Sequence, residues 1–178
     1  MLDCARKVAE LVGADTLVSG GAAWADFFAI ALFLEASTKY RLLLELPERL
    51  DVSSEHKRVY RDTGEVDWVK NPGGTANFYL RNFSKQCHSF MGPLFPWVQY
   101  EEVSRHPMCH ITVTKGFKER NLEVAKSDHC LAMTFGNKHQ LKDGGTAHTM
   151  FAFLARKDHG DSFHLDLNTL DLYKGAVV

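Results

Sequence analysis

The stretch TLVSGGAAWAD, residues 16–26, indicates the fold class of this protein. It opens with a short apolar run that contains β-branched side chains and then meets two glycines, as a buried strand does when it enters a tight turn. Residues 23–35 are almost entirely apolar and rich in helix formers, which predicts a helix packed between layers. A second apolar run at residues 40–46 ends at Pro47. Strand, glycine turn, helix and strand make the βαβ unit of a parallel sheet.

Further elements lie on both sides of this unit. The pattern predicts a short amphipathic helix before it and, after it, a third strand, a helix, a fourth strand, a helix and a last strand, at residues 2–12, 109–114, 118–126, 129–135, 147–157 and 163–167. Residues 48–107 are less regular, and we expect a hairpin and a helix there that form an insertion or lid. We therefore predict one domain over residues 1–178, a three-layer Rossmann-like α/β fold with a mainly parallel sheet and a hairpin-plus-helix insertion.

Charge and hydropathy argue against several classes of protein. Lys plus Arg (21) nearly balance Asp plus Glu (22), so the chain has no overall basic footprint and nucleic-acid binding is disfavoured. The longest apolar stretch, residues 22–34, contains Asp26 and is shorter than the ~20 residues of a membrane-spanning helix. Charges throughout residues 1–12 are incompatible with a secretory signal, so we predict a cytoplasmic protein without a membrane partner. The apolar helix could pack against a second copy, which leaves a homodimer open.

The cysteines and histidines predict neither disulfides nor a metal centre. The four cysteines, Cys4, Cys87, Cys109 and Cys130, are widely spaced and include no Cys-x-x-Cys pair, so we expect reduced thiols. Three of them have a histidine as neighbour, but adjacent residues on a strand point to opposite faces and rarely bind one ion together. We therefore expect no metal and no required cofactor.

The first glycine turn is a candidate phosphate site. A strand that ends in Ser19, Gly20 and Gly21 and runs directly into a helix leaves several backbone N–H groups at the carboxyl edge of the sheet, where the helix dipole favours an anion. The alternative is a tight turn that needs glycine for its backbone conformation alone. Trp24 could stack a base or belong to the core. Asp26 could cap the helix or act as a catalytic acid or base.

A second turn of the same design follows the fourth predicted strand, at Gly144 and Gly145. Thr146 could cap the next helix or bond a phosphate or ribose oxygen, and Asp143 before the turn could supply a catalytic carboxylate. In a parallel sheet both turns lie at the carboxyl edge, where ligands of open α/β folds bind. Their convergence predicts a ligand site.

Two polar residues after the third predicted strand complete this candidate site. The guanidinium of Arg120 suits a phosphate or carboxylate, and Asn121 can satisfy backbone groups or bind the edge of a base or sugar. The alternative is a surface arginine followed by an asparagine cap. His148, one residue into the next predicted helix, could titrate near neutral pH or serve as a satisfied polar group.

Four motifs follow one another along the chain: LVSGGAAWAD at residues 17–26, RNLEVA at 120–125, AMTF at 132–135 and GGTA at 144–147. Together they resemble the SLOG superfamily of Rossmann-like nucleotide-binding domains. In pattern they are most similar to the YspA-like domains, and more distantly to the DprA proteins and the lonely-guy phosphoribohydrolases. The resemblance covers roughly residues 14–157 apart from the insertion. It implies a cleft, formed by the two turns and the Arg-Asn step, that binds a nucleotide or a related ribose phosphate.

Two features depart from the pattern of that superfamily. The phosphoribohydrolases carry a Pro-Gly-Gly-x-Gly-Thr motif and then a catalytic glutamate, but the turn at Gly144 lacks both the proline and the glutamate, and the turn at residues 72–75 lacks the glutamate. We therefore expect nucleotide binding. The alternative is hydrolase or transferase chemistry at an N-glycosidic bond, for which Asp26, Glu123 or Asp143 could supply the carboxylate. The usual first strand has no counterpart before Leu2, so either the fold begins with a helix or the chain is a shortened version of a longer product.

Overall fold

The computed structural model describes residues 1–21, 25–47, 103, 105–135, 141 and 144–175. The hairpin and helix expected within residues 48–107 lie outside these ranges. The insertion therefore stays a prediction.

Four helices and six strands make up the described part of the chain. In chain order they are α1 (Leu2–Leu11), β1 (Thr16–Ser19), α2 (Ala25–Glu35), β2 (Arg41–Leu46), β3 (Cys109–Val113), α3 (Phe117–Val124), β4 (Cys130–Thr134), α4 (Gly145–Leu154), β5 (Ser162–Asp166) and β6 (Leu172–Lys174). The elements predicted outside the insertion are confirmed. The strand β6 was not predicted, since three residues are too short for a periodic pattern.

The strands form two small sheets. This confirms the α/β class, but the described strands form two sheets where the sequence predicts one. In the first sheet the order is β1-β2-β3 and both pairs are parallel. In the second sheet the order is β4-β5-β6, with β4 parallel and β6 antiparallel to β5. Among the described residues, β1 pairs only with β2, and β4 pairs only with β5.

The helix α2 is apolar on nearly all sides because it packs against both sheets. Ile30 and Phe33 belong to the largest buried cluster, together with Leu42 and Leu44 of β2. Phe28 lies in another cluster with Met133 of β4 and Leu165 of β5. The prediction of a helix buried between other elements is confirmed. No helix in the described ranges is long and apolar enough to span a membrane.

A separate cluster holds α4 against the second sheet. Met150 and Phe153 of α4 are fully buried and pack with Ala132 of β4 and with Ala125, which follows α3. Arg156 then donates from Nη1 to the carbonyl oxygens of Ala125 and Ser127, at 2.8 and 2.7 Å. These bonds satisfy carbonyl groups at the end of α3, where a positive charge also complements the helix dipole.

Candidate functional site

The first glycine turn is closed by its own side chains. The buried Ser19 Oγ accepts the Gly21 N–H at 3.0 Å and donates to the Asp26 carbonyl at 2.8 Å. The Gly20 N–H donates to Asp26 Oδ1 at 3.1 Å. Gly21 has a φ of +68°, which a residue with a side chain rarely adopts. Two of the N–H groups expected to meet a phosphate are therefore bonded within the turn.

Arg120 crosses this turn and ties it to α3. Its Nη1 donates to Asp26 Oδ2 at 3.1 Å, and the two side chains are only 10% and 24% exposed. A Cβ at Gly20 would lie 1.9 Å from Nη1 and 2.8 Å from Cδ of Arg120. Glycine is thus required here because a guanidinium, and not a ligand, passes over the backbone.

Asn121 makes the corresponding connection to the second turn. This residue is 5% exposed, and its Nδ2 donates to the Gly145 carbonyl at 3.4 Å and lies 3.4 Å from His148 Nδ1. The Asn121 Oδ1 is buried and accepts no hydrogen bond from any described residue. A buried amide oxygen without a donor costs free energy, so it is a candidate acceptor for a ligand N–H or O–H group.

The helix α4 begins two residues before the position that the sequence predicts. Gly144, with a φ of +138°, is the capping residue and provides no side-chain bond. Thr146 therefore lies within the first turn of the helix and is not its cap, whereas Thr149 Oγ1 donates back to the Gly145 carbonyl at 2.9 Å. The first N–H groups of a helix have no partners within it, and the helix dipole there favours an anion.

A cleft of about 960 Å³ lies between β1 and β4. At the carboxyl end of the strands its lining includes four predicted site residues: Asp26, Arg120, Gly145 and Thr146. Ser19, Gly20 and Asn121 are connected to this end through the hydrogen bonds given above. The structure thus brings the described members of the predicted site together. Trp24 and Asp143 lie outside the described residues.

The cleft also contains a cysteine that the sequence did not single out as a site residue. Burial raises the pKa of the Cys130 thiol to about 12, and the nearby Asp26 carboxylate adds to the shift. The thiol is therefore protonated at neutral pH and is a poor nucleophile. Its only signal in the sequence is its place at the start of a predicted strand.

A buried carboxylate lies elsewhere in the first sheet. Glu45 of β2 is 5% exposed, and burial raises the pKa of its carboxyl group, with the negative charge of Glu123 as the second cause. Lys126 and His110 oppose this shift. Glu45 does not line the cleft. In the described part of the chain, no three His, Cys, Asp or Glu side chains are grouped so as to hold a metal ion.

No protein-family model matches the chain, and no solved structure matches it either. Among curated proteins, it is similar to an uncharacterised protein of Acanthamoeba polyphaga mimivirus, with 32% identity over 135 residues. The match covers 75% of this chain and 62% of the viral protein, so the chain spans less than two thirds of that relative. The similarity to this viral protein indicates no activity.

Proposed function

We propose that this protein binds a nucleotide or a nucleotide-derived phosphorylated ligand at the carboxyl ends of β1 and β4. One observation carries the proposal: neighbouring residues of α3, Arg120 and Asn121, reach the two glycine turns, the first through Asp26 and the second through Gly145. Two separate turns are thereby held beside one cleft. Open α/β folds bind their ligands at such an edge.

The second turn is the part of this site that suits a phosphate. The helix α4 starts at Gly145 without a side-chain cap, and Thr146 of its first turn lines the cleft. An anion can accept the N–H groups that the helix leaves without partners. The buried Asn121 Oδ1 beside it can accept a ribose hydroxyl or a base N–H group. The chemistry of the two groups together favours a phosphate that carries a nucleoside over a bare phosphate.

A three-layer Rossmann-like arrangement is part of the proposal. On β2, Leu42 and Leu44 pack in the cluster of α2. The pKa of Glu45, the next residue after Leu44, is affected by the charges of Glu123 in α3 and Lys126 just after α3. Alternate residues of a strand point to opposite faces, which supports helices on both sides of the first sheet.

The same alternation supports two helical layers around the second sheet. On β4, Ala132 packs in the cluster of α4, whereas its neighbour Met133 packs with Phe28 of α2. The helices α1 and α2 are then on one side, and α3 and α4 on the other. Both sheets would belong to one architecture.

A thermal-shift experiment tests the proposed binding. AMP, ADP-ribose and ribose 5-phosphate are added separately, and a ligand at 100 times its Kd should raise the free energy of unfolding by about 2.7 kcal/mol. The variant Asn121→Asp replaces the amide donor and adds a negative charge beside the second turn, so it should abolish the shift. The matched control Lys118→Gln makes the same change in net charge at an exposed position of α3. If none of the three compounds stabilises the parent protein, the binding proposal is wrong.

The described candidates for the hydrolase alternative are Glu123, which does not line the cleft, and Asp26, which does. The oxygens of Asp26 already accept bonds from Gly20 and Arg120, which favours a structural role over acid-base chemistry. Incubation with AMP and chromatographic detection of adenine decides the question. Release of adenine that Asp26→Asn abolishes, in a variant that still binds AMP, would favour the hydrolase. Binding without release leaves the binding function alone.

A further inference from the structure

Two strand edges face each other across the cleft. Within the described ranges, β1 is paired on one side only, by β2, and β4 on one side only, by β5. In a parallel ladder, alternate residues direct their N–H and C=O groups to opposite sides. Half of these groups in each strand therefore face the cleft. Such open edges bind a further strand readily.

The cleft has the length of a strand. At the amino ends of β1 and β4 it is lined by residues 13–15 and 126–129, and at their carboxyl ends by Asp26, Gly145 and Thr146. It therefore runs along the whole of both strands. Five residues of a strand, the length of β4, measure roughly 17 Å.

The two faces of this slot are covered by helices. On one face lie Ala5, Val8 and Ala9 of α1 and Val12 just after it, at helical spacing, and α2 adds Phe28. The other face is lined by residues of α3 and the start of α4, which are Val124, Gly145, Thr146 and Thr149. A strand between two helical layers is buried on both faces and is apolar along its length.

The course of α1 indicates how a strand would enter the slot. Met1 and Leu2 pack in the cluster of Phe28 and Met133, which also contains Leu167 just after β5, so α1 begins at the carboxyl ends of the strands. It then runs back to the amino end of β1. A parallel strand in the slot would end where α1 begins.

The handedness of the connections agrees with this direction. From the slot through α1 to β1, the chain would cross the sheet in the same direction as it does from β1 through α2 to β2. The helices of the two steps, α1 and α2, pack in the same two buried clusters, those of Phe33 and of Phe28. Both crossovers therefore have the same hand, as connections between parallel strands almost always do.

We propose that the slot between β1 and β4 is the seat of one further β-strand, parallel to both, built of about five apolar residues and joined directly to the N-terminus of α1. With this strand in place, the two sheets become one seven-stranded sheet. The part of the cleft that stays open is its carboxyl end, beside Arg120 and Thr146. The inference does not depend on the proposed ligand, because its tests need none.

Amide hydrogen exchange of the chain as it stands gives the first test. The amides of Leu17, Val18, Leu131 and Ala132 are measured residue by residue by NMR. Those that face the slot should exchange about tenfold or more faster than amides at the centre of β2, such as that of Leu44. If every amide of β1 and β4 were as slow as Leu44, the edges would already be paired and the proposal would be overturned.

The second test supplies the strand. The extension Lys-Val-Ile-Val-Ile-Val-Asn-Gly is joined to Met1, and the control extension carries proline in place of both isoleucines, which removes two N–H donors. The first extension should slow exchange of the slot-facing amides by about tenfold or more and raise Tm, and the control should do neither. Equal effects of the two extensions, or none, would overturn the proposal.

Size-exclusion chromatography distinguishes a second copy as the occupant. Protection of the slot amides that increases with protein concentration, together with a dimer peak, would assign the slot to a partner copy and contradict the proposal. The same eight-residue sequence added as a free peptide provides a check if the extended chain does not fold. If neither this peptide at millimolar concentration nor the proline-containing peptide changes the exchange rates of the slot amides, the proposal would also be overturned.

Discussion

The two sheets, each with the helices packed on it, make up two halves of the described structure and bury their strands in different ways. The first sheet packs against α2 mainly through leucines, and its buried cluster contains ten residues, whose largest members include Phe33 and Tyr40. In the second sheet all five residues of β5 are buried, yet three of them, Ser162, His164 and Asp166, are polar. The first half thus depends chiefly on apolar packing, and the second also on buried polar groups that need partners.

The polar groups of the second half are tied to specific partners. His164 Nε2 lies 2.8 Å from Thr134 Oγ1, and Asp166 Oδ1 accepts both the backbone N–H and the side-chain amide of Asn168. Between the halves, no described strand of one pairs with a strand of the other. The ion pair of Arg120 with Asp26 and the cluster around Phe28 connect them instead. Apolar burial stabilises each half, whereas polar contacts determine how the second half and the site are arranged.

The largest expected effect is the loss of a core phenylalanine. Phe33→Ala should lower the free energy of unfolding by about 4–5 kcal/mol, and Phe153→Ala by about 3 kcal/mol, because a larger side-chain cluster surrounds Phe33. Both side chains are fully buried, which makes them a matched pair. Urea denaturation measures the difference. A greater loss for Phe153→Ala would reverse the comparison between the halves.

The connection between the halves is tested at a glycine. Gly20→Ala forces the Arg120 side chain off Asp26, and it should lower the free energy of unfolding by about 2–3 kcal/mol. Gly145→Ala is the control: its Cβ would lie 3.8 Å from Asn121 Nδ2, an ordinary contact at the start of a helix. That variant should be neutral or more stable by up to about 1 kcal/mol. Equal losses of stability in the two variants would mean that the Arg120 side chain is not the reason why residue 20 must be glycine.

The polar character of the second half is tested at Thr134. Thr134→Val keeps the shape of the side chain but removes the oxygen beside His164 Nε2, and it should cost about 1–2 kcal/mol. The same change at Thr149, which is partly exposed, should cost no more than about 0.5 kcal/mol. Chemical denaturation of both variants makes the comparison. A neutral Thr134→Val would show that the buried histidine is satisfied without the threonine.

The smallest effect concerns the buried charge of the first half. Because the folded state raises the pKa of Glu45 above its ordinary value of 4.5, the unfolded chain loses this proton first as the pH rises. Glu45 therefore lowers the free energy of unfolding at neutral pH, and this contribution disappears below the ordinary pKa. Glu45→Gln should be more stable than the parent at about pH 7 and no more stable at about pH 3.5. A difference that does not change with pH would exclude ionisation as its cause.

Much of the local structure could be predicted from the sequence. Apolar periodicity and glycine positions located every described helix and every strand except β6, because these signals arise within a few neighbouring residues. The members of the candidate site were proposed in the same way, as glycine turns and polar residues after strands. What a glycine is needed for could not be predicted. Gly20 accommodates Arg120, which lies 100 residues further along the chain.

The sequence by itself determined the α/β class, the order of the elements and which turns carry glycine, since each depends on local periodicity and backbone preference. Only the tertiary structure decided that the Gly20 turn is closed by Ser19, Asp26 and Arg120, that Asn121 retains a buried oxygen, and that β1 and β4 leave a slot between them. These features come from contacts between residues far apart in the chain, and no local pattern encodes the distance between two strands.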